Sequence, residues 1–140
     1  MNFSPELQPT PKAPGDWFEA LIRLAQFLRS PEGCPWDREQ GTRQFATFAK
    51  EEAEELCDAL DEQDNRHAEE EFGDCFFTLV NCMVAAEEEG RFTINSALER
   101  AYQKMIRRHE HVFRSDRAMT PEEAVISWDK IKQQEREGKI

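Results

Sequence analysis

The chain has 140 residues and a formal net charge of −11. That length holds one domain with a modest core and is too short for two. The charge argues against a nucleic-acid scaffold, because a phosphate footprint needs a basic stripe and the only dense one here is Lys104 to Arg108; a small anionic ligand gripped locally fits better.

Residues 1–15 carry four of the seven prolines and few apolar side chains, the composition of a flexible arm. A single domain is expected over 16–140. From Asp16, the residues Phe18, Leu21, Ile22, Ala25 and Leu28 recur at three and four, which predicts a first helix ending before Ser30-Pro31-Glu32-Gly33. Cys34-Pro35-Trp36-Asp37 follows as a loop. A second helix is predicted from Thr42 to Leu60 through Phe45, Phe48, Ala49 and Leu56, and the polar run Asp61 to Asn65 stops it. The third runs from His67 to Glu89, with Phe72, Phe76, Leu79, Val80 and Met83 on its core face and Gly90 as its stop. Thr93 caps a fourth helix through Ile94, Leu98, Ala101, Met105 and Ile106, ending near His109. Thr120-Pro121-Glu122-Glu123 starts a fifth, which holds Val125, Trp128 and Ile131. No segment alternates with period two over strand length, so the expected fold is all-α with about five helices.

Cys34, Cys57, Cys75 and Cys82 lack Cys-x-x-Cys spacing, and the last three sit on or near apolar helix faces, as buried thiols of a reducing compartment do. There is no basic-then-apolar leader pattern, and no apolar run approaches the roughly 20 residues that span a bilayer. A cytoplasmic protein with no membrane partner is expected.

The chemistry concentrates in Glu51-Glu52-x-x-Glu55 and, fifteen residues on, Glu71-x-x-Asp74. Residues three and four apart share a helix face, so each motif makes an acidic edge, and an antiparallel pairing of the two helices makes the edges meet. Neither stretch supplies the Lys or Arg that would neutralise them, whereas a divalent ion would. All-oxygen ligation suits Mg²⁺, with Mn²⁺ able to substitute, rather than Zn²⁺. The bland alternative is a solvated acidic face, common in a chain with 29 acidic residues. Gly73 weighs against it: a glycine inside a helix costs about 1 kcal/mol and points to a close helix approach.

Five stretches together resemble the MazG family of nucleoside triphosphate pyrophosphohydrolases, over residues 16–136. They are Cys34-Pro35-Trp36-Asp37-x-Glu39-Gln40, the first acidic motif, Glu71-x-Gly73-Asp74, Lys104-x-x-Arg107-Arg108-His109-x-His111-Val112-Phe113, and Trp128-x-x-Ile131-Lys132. The resemblance implies an all-α helical bundle completed by dimerisation. It also implies Mg²⁺-dependent hydrolysis of nucleoside triphosphates to monophosphate and pyrophosphate, in the manner of a nucleotide-pool house-cleaning enzyme. Carried over by position, Glu52, Glu55, Glu71 and Asp74 match the metal ligands, and Glu51 matches an extra glutamate that positions or deprotonates the attacking water. Lys104 and Arg108, with Arg107, fall to the triphosphate, and Trp128 and Lys132 to nucleotide contacts. Asn81, on the helical line of Glu71, Asp74 and Thr78, is a candidate for base or sugar. For the basic run the local alternative is complementation of a helix C-terminus; His109 and His111 read as structural, or as supports one shell out from the site, rather than as a metal pair.

The chain departs from the family pattern at Glu110, Lys50 and Gly41-Thr42-Arg43, none of them a ligand position, so substrate preference is what these changes touch. A narrower pyrophosphohydrolase, dUTPase-like or acting on phosphoribosyl-ATP, and a non-enzymatic helical interaction module are the competing readings. Ten phenylalanines and three tryptophans on five amphipathic helices exceed what a thin bundle covers, and a homodimer would bury the surplus.

Overall fold

A computed structural model describes residues 3–114, 117 and 120–140. Among these the regular structure is entirely helical, as the sequence predicts: seven α-helices and one 3-10 turn, Pro5–Leu7. The chain divides into two compact units, Met1–Ile94 and Asn95–Ile140. No helix among the described residues is long and apolar enough to cross a membrane.

The first unit contains α1 (Pro14–Leu28), α2 (Pro35–Glu39), α3 (Thr42–Asp61) and α4 (Asn65–Glu88). Pro14 opens α1 at a position whose N–H is not needed by the helix, and Leu28 ends it where the prediction stops. α2 is a finding, since the sequence reads Cys34-Pro35-Trp36-Asp37 as loop; five residues are too few to display a period. Trp36 on α2 stacks on Phe48 at 5.7 Å and meets Phe45 edge-on at 6.5 Å, which docks the short helix against α3. Phe3 stacks on Phe27 at 5.2 Å, so the Pro-rich segment has a ring contact with α1.

α3 and α4 form an antiparallel hairpin. Glu89, capping the end of α4, accepts from the Thr42 N–H and hydroxyl at the start of α3. The Cys82 thiol donates to the Thr42 carbonyl at 3.5 Å and the Cys75 thiol to the Ala49 carbonyl at 3.6 Å, so numbers rise on one helix as they fall on the other. The turn between them is a Schellman motif: Asp64 N–H reaches Ala59 O and Gln63 N–H reaches Leu60 O, with Gln63 in the left-handed region at φ 59°. Asp64 then caps α4 through its carboxylate, which accepts from His67 N–H at 3.1 Å. The core cluster of Ala25, Val80 and Val84 joins α1 to α4, with Phe18, Leu21, Ile22, Phe76 and Phe77 packed around it.

Two expectations are corrected. Gly73 does not mark a close helix approach, since a Cβ built there meets nothing within 4 Å. Cys57 is exposed rather than buried; the other three cysteines are half-buried, and all four are free thiols.

The second unit contains α5 (Ile94–Arg108), the four-residue α6 (Glu110–Phe113) and α7 (Pro121–Arg136). Thr120 caps α7 as its sequence predicts, accepting from Glu123 N–H at 3.2 Å with Pro121 at the first position. Ile131 on α7 is buried, while no residue of α5 is.

Gly33, unlike Gly73, is sterically required. A Cβ there would lie 2.3 Å from Phe27 O and 2.4 Å from Leu28 O, both rigid backbone at the end of α1. Gly33→Ala is expected to destabilise the protein by about 1–3 kcal/mol. Gly73→Ala, at an open helical position, is expected to stabilise it by about 1 kcal/mol. Urea unfolding with unchanged m values measures both, and equal midpoints for the two variants would contradict this geometry.

Candidate functional site

The hairpin register brings Glu52 and Glu55 of α3 onto Glu71 of α4. One carboxylate oxygen from each lies within 4.8 Å of the others. Glu52 Oε2 and Glu71 Oε2 are buried and have no hydrogen-bond partner. The Glu52 carboxyl is pushed up to about 7, first by burial and then by the Glu55 charge, with the close Glu71 carboxylate and the charge of Asp74 adding to the shift. A hard divalent cation fits this set: all donors are oxygen, and two buried oxygens are unsatisfied. Glu52, Glu55 and Glu71 are the residues whose oxygens are gathered closely enough to hold one.

The remaining acidic candidates are placed differently. Asp74, one turn along α4 from Glu71, is exposed, and its charge bears on Glu52. Glu51 is exposed on α3 and is not part of the converged set. Asn81 is buried at 4% exposure, its amide donating to Phe77 O at 3.1 Å while Oδ1 has no partner. His67 is a residue that sequence reasoning leaves out. Its Nε2 is 3.1 Å from Glu71 Oε1 and its Nδ1 is 3.8 Å from Glu62 Oε2. The hydrogen bond to Glu71, more than the nearby acidic charges, holds the ring's pKa above the usual histidine value. The i,i+4 spacing of His67 and Glu71 is a signal that could have found the pair.

In the second unit two of the predicted basic groups, Arg107 and Arg108, meet a carboxylate absent from the sequence motifs, Glu135 on α7. Arg107 Nη2 is 2.7 Å from Glu135 Oε1, and Arg108 Nη2 is 2.9 Å from Oε2. The Arg108 guanidinium also lies over the Trp128 ring, 5.3 Å from its centroid. His109 meets Trp128 edge-on at 5.3 Å and donates from Nδ1 to Met105 O at 2.6 Å, so it has structural contacts, the role the sequence reading gives it. Lys104 is exposed and Lys132 half-buried. Glu135 was out of reach of periodicity because it lies 28 positions from Arg107.

Two pH dependences follow, of opposite sign. In metal-free protein the folded acidic cluster keeps a proton that the unfolded chain releases above about pH 4.5, so the contribution of Glu52 to stability falls as pH rises towards about 7. Glu55→Gln removes the charge that raises Glu52 most and is expected to flatten that fall, read from urea midpoints at about pH 5 and about pH 8 in EDTA. Glu135 is held down to about 2 by hydrogen bonds from Arg108 and then Arg107, so its contribution is present above about 4.5 and is lost as pH falls towards 2. Glu135→Gln is expected to be less stable at neutral pH and to show a shallower acid decline; an unchanged acid-unfolding curve would count against this ion-pair network.

Residues 40–113 match the MazG nucleotide pyrophosphohydrolase domain, a span that includes both acidic motifs and the basic run. The chain is 38% identical over 125 residues to the nucleoside triphosphate pyrophosphohydrolase/pyrophosphatase MazG of Thermotoga maritima, covering 89% of this chain and 48% of that protein. It is 38% identical over 122 residues to the nucleoside triphosphate pyrophosphohydrolase of Escherichia coli K12, covering 86% and 46%. It is 36% identical over 119 residues to the uncharacterized protein YabN of Bacillus subtilis, covering 85% and 24%. The chain thus spans about half, or less, of the length of these relatives. The crystal structure of a mazG-related protein from Thermotoga maritima superposes with a TM-score of 0.70 at 25% identity, covering 82% of this chain and 98% of that one. With the domain match over more than half its residues and the same helical fold, this chain belongs to the MazG nucleotide pyrophosphohydrolase family.

Proposed function

We propose that the protein is a Mg²⁺-dependent nucleoside triphosphate pyrophosphohydrolase of cytoplasmic nucleotide-pool house-cleaning, with Mn²⁺ able to replace Mg²⁺. The observation that carries this reading is the convergence of Glu52, Glu55 and Glu71 with two buried, unpartnered oxygens, in a chain of this family. Such an arrangement is costly unless a cation completes it.

In the proposed reaction a water oxygen bonds to a phosphorus flanking the α–β anhydride. That anhydride breaks, pyrophosphate and monophosphate separate, and the proton lost by water passes to a carboxylate. Glu51, exposed beside the cluster, is assigned to orient and deprotonate the water. Glu52, Glu55, Glu71 and Asp74 hold the divalent ion, which when bound neutralises phosphate charge and eases deprotonation of water. Lys104, Arg107 and Arg108 bind triphosphate oxygens, the arginines by their planar forks and the lysine as a mobile point charge. Trp128, Lys132 and Asn81 contact the nucleoside.

A homodimer belongs to the same proposal. Leu60 and Phe72 in the first unit are 55% and 60% exposed, and Tyr102 and Ile126 in the second are 71% and 68% exposed. Apolar groups of this size left in water favour an isologous contact. Sedimentation over a concentration series is expected to show a dimer, and a persistent monomer at tens of micromolar would refute it.

Product analysis with a panel of canonical and modified nucleoside triphosphates tests the reaction class. Monophosphate and pyrophosphate, formed with Mg²⁺ and suppressed by EDTA, are expected; diphosphate with phosphate, or no turnover by folded protein across the panel, would overturn the assignment. Glu55→Gln and Asp74→Asn are each expected to abolish turnover while leaving helical circular dichroism intact. Full activity in either would remove that residue from the site.

A further inference from the structure

The two oxygens of Glu71 are in different circumstances. Oε1 lies 3.1 Å from His67 Nε2, whereas Oε2 is buried without a partner. The side chain is only 12% exposed, while the His67 ring, one turn earlier on α4, is 42% exposed. The backbone of His67 is itself fixed, because its N–H is bonded to the Asp64 cap at 3.1 Å. We propose that His67 is a positioning residue of the metal site. Its Nε2–H donates to Glu71 Oε1, and this leaves Oε2 as the oxygen that Glu71 offers a cation together with Glu52 and Glu55.

This inference rests on reading the acidic cluster as a divalent-cation site. A glutamate side chain has several rotatable bonds, and ordering it at the moment of binding costs entropy. A donor that restrains one oxygen beforehand lowers that cost, and it also disfavours a chelate in which both oxygens of Glu71 bind the ion. Partners of this kind, one shell out from the ligands, set metal affinity as well as orientation. The plain alternative is an i,i+4 His–Glu pair at a helix surface, which adds slightly to helix stability and has no effect on cation binding.

The test is a Mn²⁺ titration of the full chain without nucleotide, followed by paramagnetic resonance of the free ion, with Mg²⁺ as competitor. Wild type is compared with His67→Ala, His67→Phe and His67→Gln. Removing the donor, by His67→Ala or by the ring-preserving His67→Phe, is expected to weaken Mn²⁺ binding by about 10- to 100-fold. His67→Gln, whose amide nitrogen can reach close to the same place, is expected to restore affinity towards the wild-type value. If His67→Ala fails to fold, by circular dichroism, the comparison of His67→Phe with His67→Gln decides. Wild-type affinity in a folded variant without the donor would overturn the positioning role and leave the metal site standing. Wild type binding no more Mn²⁺ than Glu71→Gln would overturn the metal site itself, and the role of His67 with it.

Discussion

The register of α3 against α4 is the constraint on which the acidic site depends. Fixed by thiol and cap contacts from Thr42 to Cys82 and from Ala49 to Cys75, it leaves Glu52 and Glu71 no choice but to face each other. Phe45, Ala49 and Ala59 on α3, and Ala68 and Val80 on α4, are all buried. Burying a side chain the size of valine or phenylalanine contributes about 1.5–3 kcal/mol. A few such residues suffice to hold together carboxylates that would otherwise separate. Folding does not remove the cost: burial first and the neighbouring charges second raise the pKa of Glu52, and two oxygens are left without partners.

The opposite end of the hairpin is satisfied by contrast. Arg29, 7% exposed at the close of α1, donates from Nη1 to the carbonyls of Asp37 and Gln40, both at 2.7 Å, and from Nε to Glu88 at 2.8 Å. Its guanidinium also lies over the Phe45 ring. One buried cation thus ties α1, α2 and the ends of α3 and α4, and its charge is answered by both carbonyls and a carboxylate. The nearby Thr42 hydroxyl and backbone hold the Glu89 carboxyl below the usual glutamate range. The same hairpin therefore has an end where Arg29, Glu88 and Glu89 are paired and an acidic stretch where Glu52 Oε2 and Glu71 Oε2 are not. Unpaired buried polar atoms need a reason, and two of those among the described residues, Glu52 Oε2 and Glu71 Oε2, belong to the family's acidic motifs.

The long helices were legible because each repeats apolar residues at helical period, even α5, which has no fully buried residue. The prediction from Thr42 to Leu60 differs by one residue at its end, and α4 starts two residues before the predicted His67 because Asp64 is the cap. Short elements were not legible. α2 and α6 have five and four residues, less than is needed to show periodicity, and they are held by contacts such as Trp36 on Phe48. The three converging glutamates were visible as two motifs. Glu51 stands apart from them because adjacent helical residues point about 100° apart, in keeping with its separate assignment as an extra glutamate rather than a ligand. Gly73 was misjudged because a glycine records permission for an approach, not that one occurs. The partners His67 and Glu135 escaped because motif reading seeks ligands and cations rather than the groups that restrain them.

The contacts of Glu135 bear on how the basic groups act. An arginine whose fork already meets a carboxylate has fewer donors to offer a phosphate, and both Arg107 and Arg108 meet Glu135. The pair is not buried deeply enough to be permanent: the Arg107 side chain is 40% exposed. A triphosphate carries more oxygens and more charge than one carboxylate, so on the proposed reading it competes with Glu135 for both guanidiniums. Arg108 is the more constrained of the two, set between Glu135 and the Trp128 ring. Arg107, with no ring over it among the described contacts, can turn to a new anion at lower cost, and exposed Lys104 at lower cost still. On that reading Glu135 would hold the arginine forks in order before the triphosphate arrives, at the expense of part of the affinity that free guanidiniums would give.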